Sequence, residues 1–160
     1  MSQIYLLPGE FHFGDEHRTI KTLLGSCVAI TMWNSRLKVG GMCHYKLPRR
    51  LVGSGSALDG NYGEEAVLLF LKNMKNFMLR PEDMTVGVFG AANMFSTVVK
   101  SDEKSIGVQN IKLAHQLMKK YGFNITYESL GGNVSRKVVL DVSNGAVKVL
   151  GIDSEQQRVI

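Results

Sequence analysis

The sequence predicts an α+β fold in which mixed or antiparallel β-sheets are covered by helices. Short segments with strand-like alternation outnumber the two segments with helical periodicity. Their order is strand-rich, helix, strand, helix, strand-rich, which differs from the regular alternation of a parallel α/β fold. No internal repeat of roughly 20–50 residues and no linker interrupts the chain, so we expect one domain over residues 1–160.

The N-terminal part of the chain is predicted to consist of strands. The segments are Ile4–Leu7, Arg18–Leu24, Val28–Trp33 and Lys38–Tyr45. A Gly25-Ser26 break follows the second segment, and a polar turn at Ser35-Arg36 follows the third. The Gly/Ser-rich stretch Val52–Gly63 is predicted to be a mobile loop, and it lacks the lysine of a phosphate-binding Walker loop.

Two helices are predicted from apolar residues that recur at spacings of three and four. The first runs from about Gly63 to Met78, and the second spans Ile106 to Tyr121 and stops at Gly122. Between them, Met84–Phe89 is a predicted strand that leads into the small-residue turn "GAANMF".

The C-terminal part is predicted to return to strands. These are Asn124–Ser129, Arg136–Val142 and Ala146–Leu150. The stretch "SNGA" between the last two contains the Asn-Gly pair typical of a tight hairpin turn, so we expect these two strands to form a hairpin.

Composition and charge argue against several classes of protein. Apolar residues make up 44% of the 160 residues, enough for a sizeable core, and two cysteines do not resemble a disulfide framework. No segment has the apolar run of a signal peptide or a membrane-spanning helix, so we expect a cytoplasmic protein with reduced thiols and no membrane insertion. The basic residues behind the net charge of +5 are dispersed and accompany no nucleic-acid-binding motif, which favours an acidic protein surface as partner.

Cys27 and His44 are the strongest candidates for chemistry. If Ser35-Arg36 is a two-residue hairpin loop, Cys27 faces His44 directly, with Cβ atoms about 4.5–5.5 Å apart. Alternation then points Cys43 to the opposite face of the strand, outside the site. An imidazole can hold a thiol as a thiolate–imidazolium pair, and the thiolate can attack an acyl carbon. Backbone N–H groups of residues 25–27 would stabilise the resulting oxyanion.

Other interpretations of these residues stay open at this point. From composition and spacing alone, Cys27 in "CVAI" is by default an inert core cysteine. A zinc site from Cys27, Cys43 and His44 lacks a fourth ligand, and a serine hydrolase lacks the GxSxG motif. The remaining histidines are interpreted as surface or core residues rather than ligands: His12, His17 and His115.

Six motifs occur in order over roughly residues 18–150. They are "LGSCVAI", "GGMCHYKLP" with His44 seventeen residues after Cys27, "NYGEEAV", "GAANMF", "IGVQN" and "GGNVSRKV". Together they resemble the CheD family of chemoreceptor glutamine deamidases, with Tyr62 at the place of the family's tyrosine. The turn "GAANMF" departs from the family's Gly-Gly-Ala-x-Met-Phe, and Asn93 is interpreted as a turn residue.

The resemblance implies a cysteine amidohydrolase of bacterial chemotaxis. Its substrates would be glutamine side chains of methyl-accepting chemotaxis receptors, which are converted to glutamate with release of ammonia. It implies two packed sheets with helices outside, an α/β/β/α arrangement similar to the catalytic domains of deamidating toxins. It also implies that Cys27 is the nucleophile and His44 the base, and that no metal or organic cofactor is needed.

The third catalytic residue of the family is a threonine six places before the cysteine, where this chain has Lys21. Thr22, five places before, is the residue we expect to orient His44, and Ser26 is the other candidate. In a regular strand Thr22 lies on the face opposite position 21, so a bulge or a shorter loop is expected. Lys21 on the catalytic face would favour the thiolate through its charge.

Two other functions remain as alternatives. The fold can serve as a non-catalytic chemotaxis adaptor that binds receptors or the CheC phosphatase with which the family is associated. A thiol amidase for small molecules lacks a motif of its own, and a deep apolar pocket would favour it. The intact Cys–His pair favours the receptor deamidase.

Overall fold

A computed structural model describes residues 2–52, 57–93 and 105–152 of the chain. The strands in these ranges are β1 (Gln3–Leu6), β2 (Phe11–Gly14), β3 (Thr19–Leu24), β4 (Val28–Asn34), β5 (Val39–Tyr45), β6 (Thr85–Gly90), β7 (Ile125–Leu130), β8 (Arg136–Asp141) and β9 (Val147–Gly151). The helices are α1 (Gly63–Lys75) and α2 (Ile106–Tyr121), with a short 3-10 turn at Pro81–Asp83. Neither α1 nor α2 is long and apolar enough to cross a bilayer.

The strands form two mixed sheets. The four-stranded sheet has the order β1-β3-β8-β9, and the five-stranded sheet has the order β2-β5-β4-β6-β7. The pairs β1–β3 and β6–β7 are parallel, and the other pairs are antiparallel. This arrangement confirms the predicted α+β class.

Two apolar clusters show how the layers are stacked. One lies between the two sheets and takes side chains from both, so the sheets pack face to face. Its buried members include Ile20, Leu24, Met42, Phe89 and Leu140. The other lies between the five-stranded sheet and both helices, with buried members that include Ile30, Cys43, Phe70, Met74 and Leu113. The described residues therefore form one helix layer and two sheet layers, whereas the resemblance implied helices outside both sheets.

The helix ends follow local signals. Helix α2 has the predicted bounds because the Ser105 hydroxyl accepts the Val108 N–H at its start, and Gly122 ends it with a φ of +83°. Helix α1 ends at Lys75, before the predicted end at Met78, because the chain turns there and Met78 takes a φ of +56°.

Strand β2 is absent from the sequence prediction, and its tertiary contacts explain why it forms. The rings of Phe11 and Phe13 meet the ring of Phe70 in α1 edge to face, with centroids 4.9 and 6.2 Å apart. Its partner β5 can approach closely because residue 41 is a glycine, where a Cβ atom would lie 2.1 Å from the His12 carbonyl oxygen. The strand is thus fixed by β5 and α1 rather than by its own short pattern.

The β4–β5 hairpin has a four-residue loop, Ser35–Lys38, instead of the predicted two-residue loop. The side-chain oxygen of Asn34 accepts a hydrogen bond from the Leu37 N–H at 2.8 Å. The backbone carbonyl of Asn34 accepts one from the N–H of Lys38, which has a φ of +54°. The pairing therefore shifts by two positions, and His44 lies opposite Ala29. The prediction that His44 directly faces Cys27 is wrong, but a shift of two keeps every side chain on its predicted face.

The C-terminal hairpin of β8 and β9 is confirmed, but its loop comprises the four residues 142–145 rather than a tight Asn-Gly turn. Gly145 of its turn has a φ of +78°, and a Cβ atom there would lie 2.3 Å from the Trp33 ring. Residues 53–56 of the predicted loop Val52–Gly63 lie outside the described residues, as do Met94 and Phe95 of "GAANMF".

Candidate active site

The candidate site lies between the two sheets, at the end where β3 passes into β4. Cys27 follows the bend at Gly25-Ser26 and immediately precedes β4, and it is half-buried against the cluster between the sheets. His44 is the penultimate residue of β5 and is 2% exposed. Each sheet contributes to the site, because Thr22 belongs to β3 and His44 to β5.

A hydrogen-bonded chain fixes the imidazole of His44. The Thr22 Oγ1 donates to the Leu6 carbonyl oxygen at 2.8 Å, and the same oxygen lies 2.6 Å from His44 Nδ1. The hydroxyl has a single proton, and the carbonyl can only accept, so Nδ1–H donates to Thr22. The neutral ring then carries its lone pair on Nε2. That atom is buried and has no hydrogen-bond partner in the described part of the chain.

Strand β3 places Thr22 beside His44, and it does so as a regular strand without a bulge. Its register with β1 and β8 is continuous, and Ile20, Thr22 and Leu24 are buried between the sheets. Lys21 lies on the other face of this strand. The expectation that Lys21 supplies charge on the catalytic face is therefore wrong, and of the two expected explanations for Thr22, a bulge or a shorter loop, the bulge is not found in β3. The other candidate for the third residue, Ser26, is exposed.

Cys27 and His44 are diagonal neighbours in the extended β4–β5 register. Ala29 pairs with His44, and Cys27 lies two residues before Ala29 on the same strand face. Diagonal Cβ atoms are separated by up to about 7–8 Å, within reach of longer side chains. Cys43 pairs with Ile30 and is buried in the cluster under the helices, on the opposite face from His44, as predicted. Because of that face, Cys43 cannot join Cys27 and His44 in one metal site.

Burial dominates the electrostatics of both candidate residues. Desolvation raises the pKa of the Cys27 thiol, and the positive charge of Lys46 partly opposes that rise. Desolvation and, second, Lys46 lower the pKa of His44 to about 4. Both shifts disfavour the charged forms, the thiolate of Cys27 and the imidazolium of His44. Burial raises the pKa of Cys43 to about 12, so that thiol stays protonated and unreactive.

The loop that carries Cys27 is held by the end of β6. The Cys27 carbonyl accepts the Ala91 N–H at 2.8 Å, and the Gly25 carbonyl accepts the Ala92 N–H at 2.9 Å. Position 90 requires glycine, since it has a φ of +115° and a Cβ atom there would lie 2.2 Å from the Cys27 carbonyl oxygen.

Arg136 ties this end of β6 to the opposite sheet. Its guanidinium donates to the carbonyl of Gly90 at 3.0 Å, to the carbonyl of Gly131 at 2.6 Å and to the Ser129 hydroxyl at 3.1 Å. Arg136 itself belongs to β8, where it pairs with Leu24, just before the Gly25-Ser26 bend. The guanidinium therefore fixes the two sheets to each other beside the Cys27 loop.

Comparison with known proteins identifies the group to which these features belong. Residues 47–150 match the family model described as CheD chemotactic sensory transduction. The chain belongs to the CheD family. The matched range begins three residues after His44, but alignments with individual relatives span most of the chain.

Two CheD relatives illustrate this similarity. The chain is 42% identical to the probable chemoreceptor glutamine deamidase CheD 3 of Dechloromonas aromatica, over 92% of this chain and 86% of that protein. It is 40% identical to the probable chemoreceptor glutamine deamidase CheD 1 of Chromobacterium violaceum, over 90% of this chain and 75% of that protein. Among solved structures, the Bacillus licheniformis hypothetical protein YfiH aligns with a TM-score of 0.47 at 10% identity, over 74% of this chain and 49% of that one.

Sequence reasoning predicted Cys27, His44 and Thr22 as the site of this CheD chain, and it named neither Gly90 nor Arg136, which hold the surrounding loop and sheets. Both residues lie in motifs that carry the family resemblance: Gly90 is the first residue of "GAANMF", and Arg136 lies in "GGNVSRKV". A glycine at the end of a buried strand is a signal for close backbone approach. No sequence signal shows that an arginine binds carbonyl oxygens of another sheet.

Proposed function

We propose that this CheD-family chain is a cysteine-dependent deamidase that converts glutamine side chains of methyl-accepting chemotaxis receptors to glutamate. The observation that carries the proposal is the chain of contacts from the Leu6 carbonyl through Thr22 to His44 Nδ1, which leaves Nε2 as the basic atom. By the β4–β5 register, His44 and Cys27 belong to the same face of the sheet. The names of the relatives, chemoreceptor glutamine deamidases, support the same reaction.

In the first half of the proposed reaction, Cys27 attacks the side-chain carbonyl carbon of glutamine. His44 is neutral at pH 7 because of its lowered pKa, so Nε2 can accept the thiol proton as the sulfur–carbon bond forms. Backbone N–H groups of residues 25–27 stabilise the oxyanion. The imidazolium then gives its proton to the amide nitrogen, the carbon–nitrogen bond breaks, and ammonia leaves behind a thioester.

In the second half, water hydrolyses the thioester. Neutral His44 takes a proton from the attacking water, the carbon–sulfur bond breaks, and the proton returns to the Cys27 sulfur. The net reaction consumes one water and one glutamine side chain, and yields glutamate and ammonia. The scheme requires no metal ion and no organic cofactor. The thiol stays available in a reducing compartment, so we place the reaction in the cytoplasm.

The substrate of the proposed reaction is a glutamine on an exposed receptor helix. The net charge of +5 suits an acidic receptor segment, an attraction that is screened beyond about 10 Å at moderate salt. A CheC-type phosphatase as regulatory partner belongs to the same proposal and rests on the family resemblance alone.

The proposal is tested by incubating the protein with the cytoplasmic fragment of a chemoreceptor and measuring ammonia and the masses of receptor peptides. We expect a gain of about one mass unit at particular glutamines, because an amide becomes an acid. The variants Cys27→Ala and His44→Ala should abolish the gain. Cys43→Ala is the matched control, since Cys43 is the other cysteine and faces away from the site.

Equal loss of activity in Cys43→Ala and Cys27→Ala, with both proteins folded, would contradict the assignment of the nucleophile. Receptor binding by the wild-type protein without any mass change would instead assign the chain to the adaptor function.

A further inference from the structure

Lys46 follows β5 directly and lies at the rim of the site. The last pair of the β4–β5 ladder joins Val28 to Tyr45, so the next step of the same register brings Lys46 opposite Cys27. Directly opposed residues of an antiparallel pair share a face. Lys46 is exposed, whereas His44, two residues before it on the same face, is buried.

The backbone of Lys46 is fixed from two sides. Its N–H donates to the Asn61 carbonyl at 2.8 Å, and its carbonyl accepts from Asn110 Nδ2 at 3.0 Å. Asn110 lies in α2 and is fully buried, and its own carbonyl accepts the Tyr45 hydroxyl at 2.7 Å. Because these hydrogen bonds fix the backbone of Lys46, the position of its Cα atom, and hence the region that its side chain can reach, is also fixed.

The charge of Lys46 acts on both residues of the proposed pair. It lowers the pKa of Cys27, against the dominant effect of burial, and it lowers the pKa of His44 in the same direction as burial. Other elements place further polar or charged groups around the site. Strand β3 contributes the uncharged Thr22, and β8 contributes Arg136, whose guanidinium is bound to carbonyl oxygens. Strand β7 contributes Tyr127, and the segment before α1 contributes Asp59. Asp59 is the carboxylate in this set, and its pKa is lowered chiefly by the hydrogen bond from the Asn61 N–H, with Lys46 as a smaller cause.

We propose that Lys46 is a positioning residue of the site, whose ammonium stabilises negative charge on the Cys27 sulfur and disfavours a retained proton on His44. The first effect favours attack by Cys27 in the reaction proposed above, on which this inference rests, and the second favours release of the proton from the imidazolium to the departing nitrogen, although it makes Nε2 a weaker acceptor for the thiol proton. Charge on sulfur develops as the thiol proton leaves, and a proton that His44 holds weakly passes readily to the departing ammonia.

The first test measures the thiol rather than the deamidation. The rate of iodoacetamide alkylation at Cys27 is followed across pH by mass spectrometry of the peptide that contains it, in the variants Lys46→Met, Lys46→Glu and Lys46→Arg. Because iodoacetamide reacts with the thiolate, Lys46→Met should slow alkylation at pH 7 roughly threefold, and Lys46→Glu should slow it further. Lys46→Arg should stay close to wild type. Lys72→Met, the same substitution at an exposed position of α1, is the matched control and should change nothing.

The second test uses the pH profile of deamidation. Since Lys46 lowers the pKa of both groups, Lys46→Met should move both limbs of the profile to higher pH, a result that mere loss of folded protein does not produce. Alkylation profiles of Lys46→Met and Lys46→Glu that superimpose on wild type would overturn the inference. If the wild-type protein deamidates no receptor, the proposed function fails, and the alkylation series still decides the role of Lys46 by itself.

Discussion

Replacing Thr22 by valine tests the hydrogen-bonded chain that orients His44. Valine keeps the branched shape of threonine and replaces the hydroxyl by a methyl group, so the main change is the loss of the hydrogen bonds of that hydroxyl. The His44 Nδ1–H and the Leu6 carbonyl both lose their contact with the side chain of residue 22. Thr22 is fully buried and His44 is 2% exposed, so water does not readily replace the lost hydroxyl.

The magnitude follows from these two losses. Each buried polar group left without a partner costs about 1–3 kcal/mol, and the added methyl group offsets part of this, so the free energy of unfolding should fall by about 2–4 kcal/mol. An imidazole that rotates away from Cys27 should reduce kcat by roughly ten- to hundredfold, equivalent to about 1.4–2.7 kcal/mol of transition-state stabilisation. KM should change little, because Thr22 is buried and does not reach the substrate.

The assay combines urea denaturation with single-turnover deamidation at a temperature where the variant is fully folded. Thr22→Ser is the matched control, since it keeps the hydroxyl and should retain most of the activity. A Thr22→Val protein with wild-type kcat would refute the argument that this hydroxyl orients the base, whatever its stability. A loss that is equal in Thr22→Ser and Thr22→Val would assign the effect to packing.

Three further predictions concern His44 and two residues near the hydrogen bonds of Leu6, Thr22 and His44. The pKa of His44 is lowered from 6.5 to about 4, so between these pH values the unfolded state binds a proton that the folded state does not. The free energy of unfolding should therefore fall as the pH decreases from about 6.5 to 4. In urea titrations, His44→Gln should weaken this pH dependence. Gly90→Ala should destabilise the protein by more than about 2 kcal/mol, because the added Cβ atom would collide with the Cys27 carbonyl. Gly122→Ala is the control: this position is also left-handed, but nothing lies within 4 Å of the added Cβ atom, so thermal melts should show a loss of about 1 kcal/mol. Arg136→Met should lower kcat more than Arg136→Lys does, since a lysine retains one donor to the carbonyl oxygens, and equal kcat values in the two variants would argue against a role for those hydrogen bonds.

Sequence reasoning was most accurate where structure depends on local signals. The bounds of α2 follow from Ser105 and Gly122, and the C-terminal hairpin follows from Asn144 and Gly145. Each of these signals acts within a few residues of the feature that it determines.

The faces of β4 and β5 were predicted correctly, but the exact pairing of these two strands was not. The loop length depends on how the Asn34 side chain binds the turn, which the hydrophobic pattern does not encode. An error of two residues preserves the face, so Cys27 and His44 still share a side of the sheet, and Cys43 still lies on the other. The position of Thr22 could not be derived, because it depends on how the second sheet docks onto the first.

That docking has a consequence for when the thiol becomes reactive. The residues that would activate Cys27 belong to different sheets, and they meet only after the interior between the sheets has closed. During folding, a chain with one sheet formed has a cysteine without an oriented base. We therefore expect base-assisted attack by Cys27 to require the packed interface between the two sheets, so that any opening of that interface separates the thiol from its oriented base.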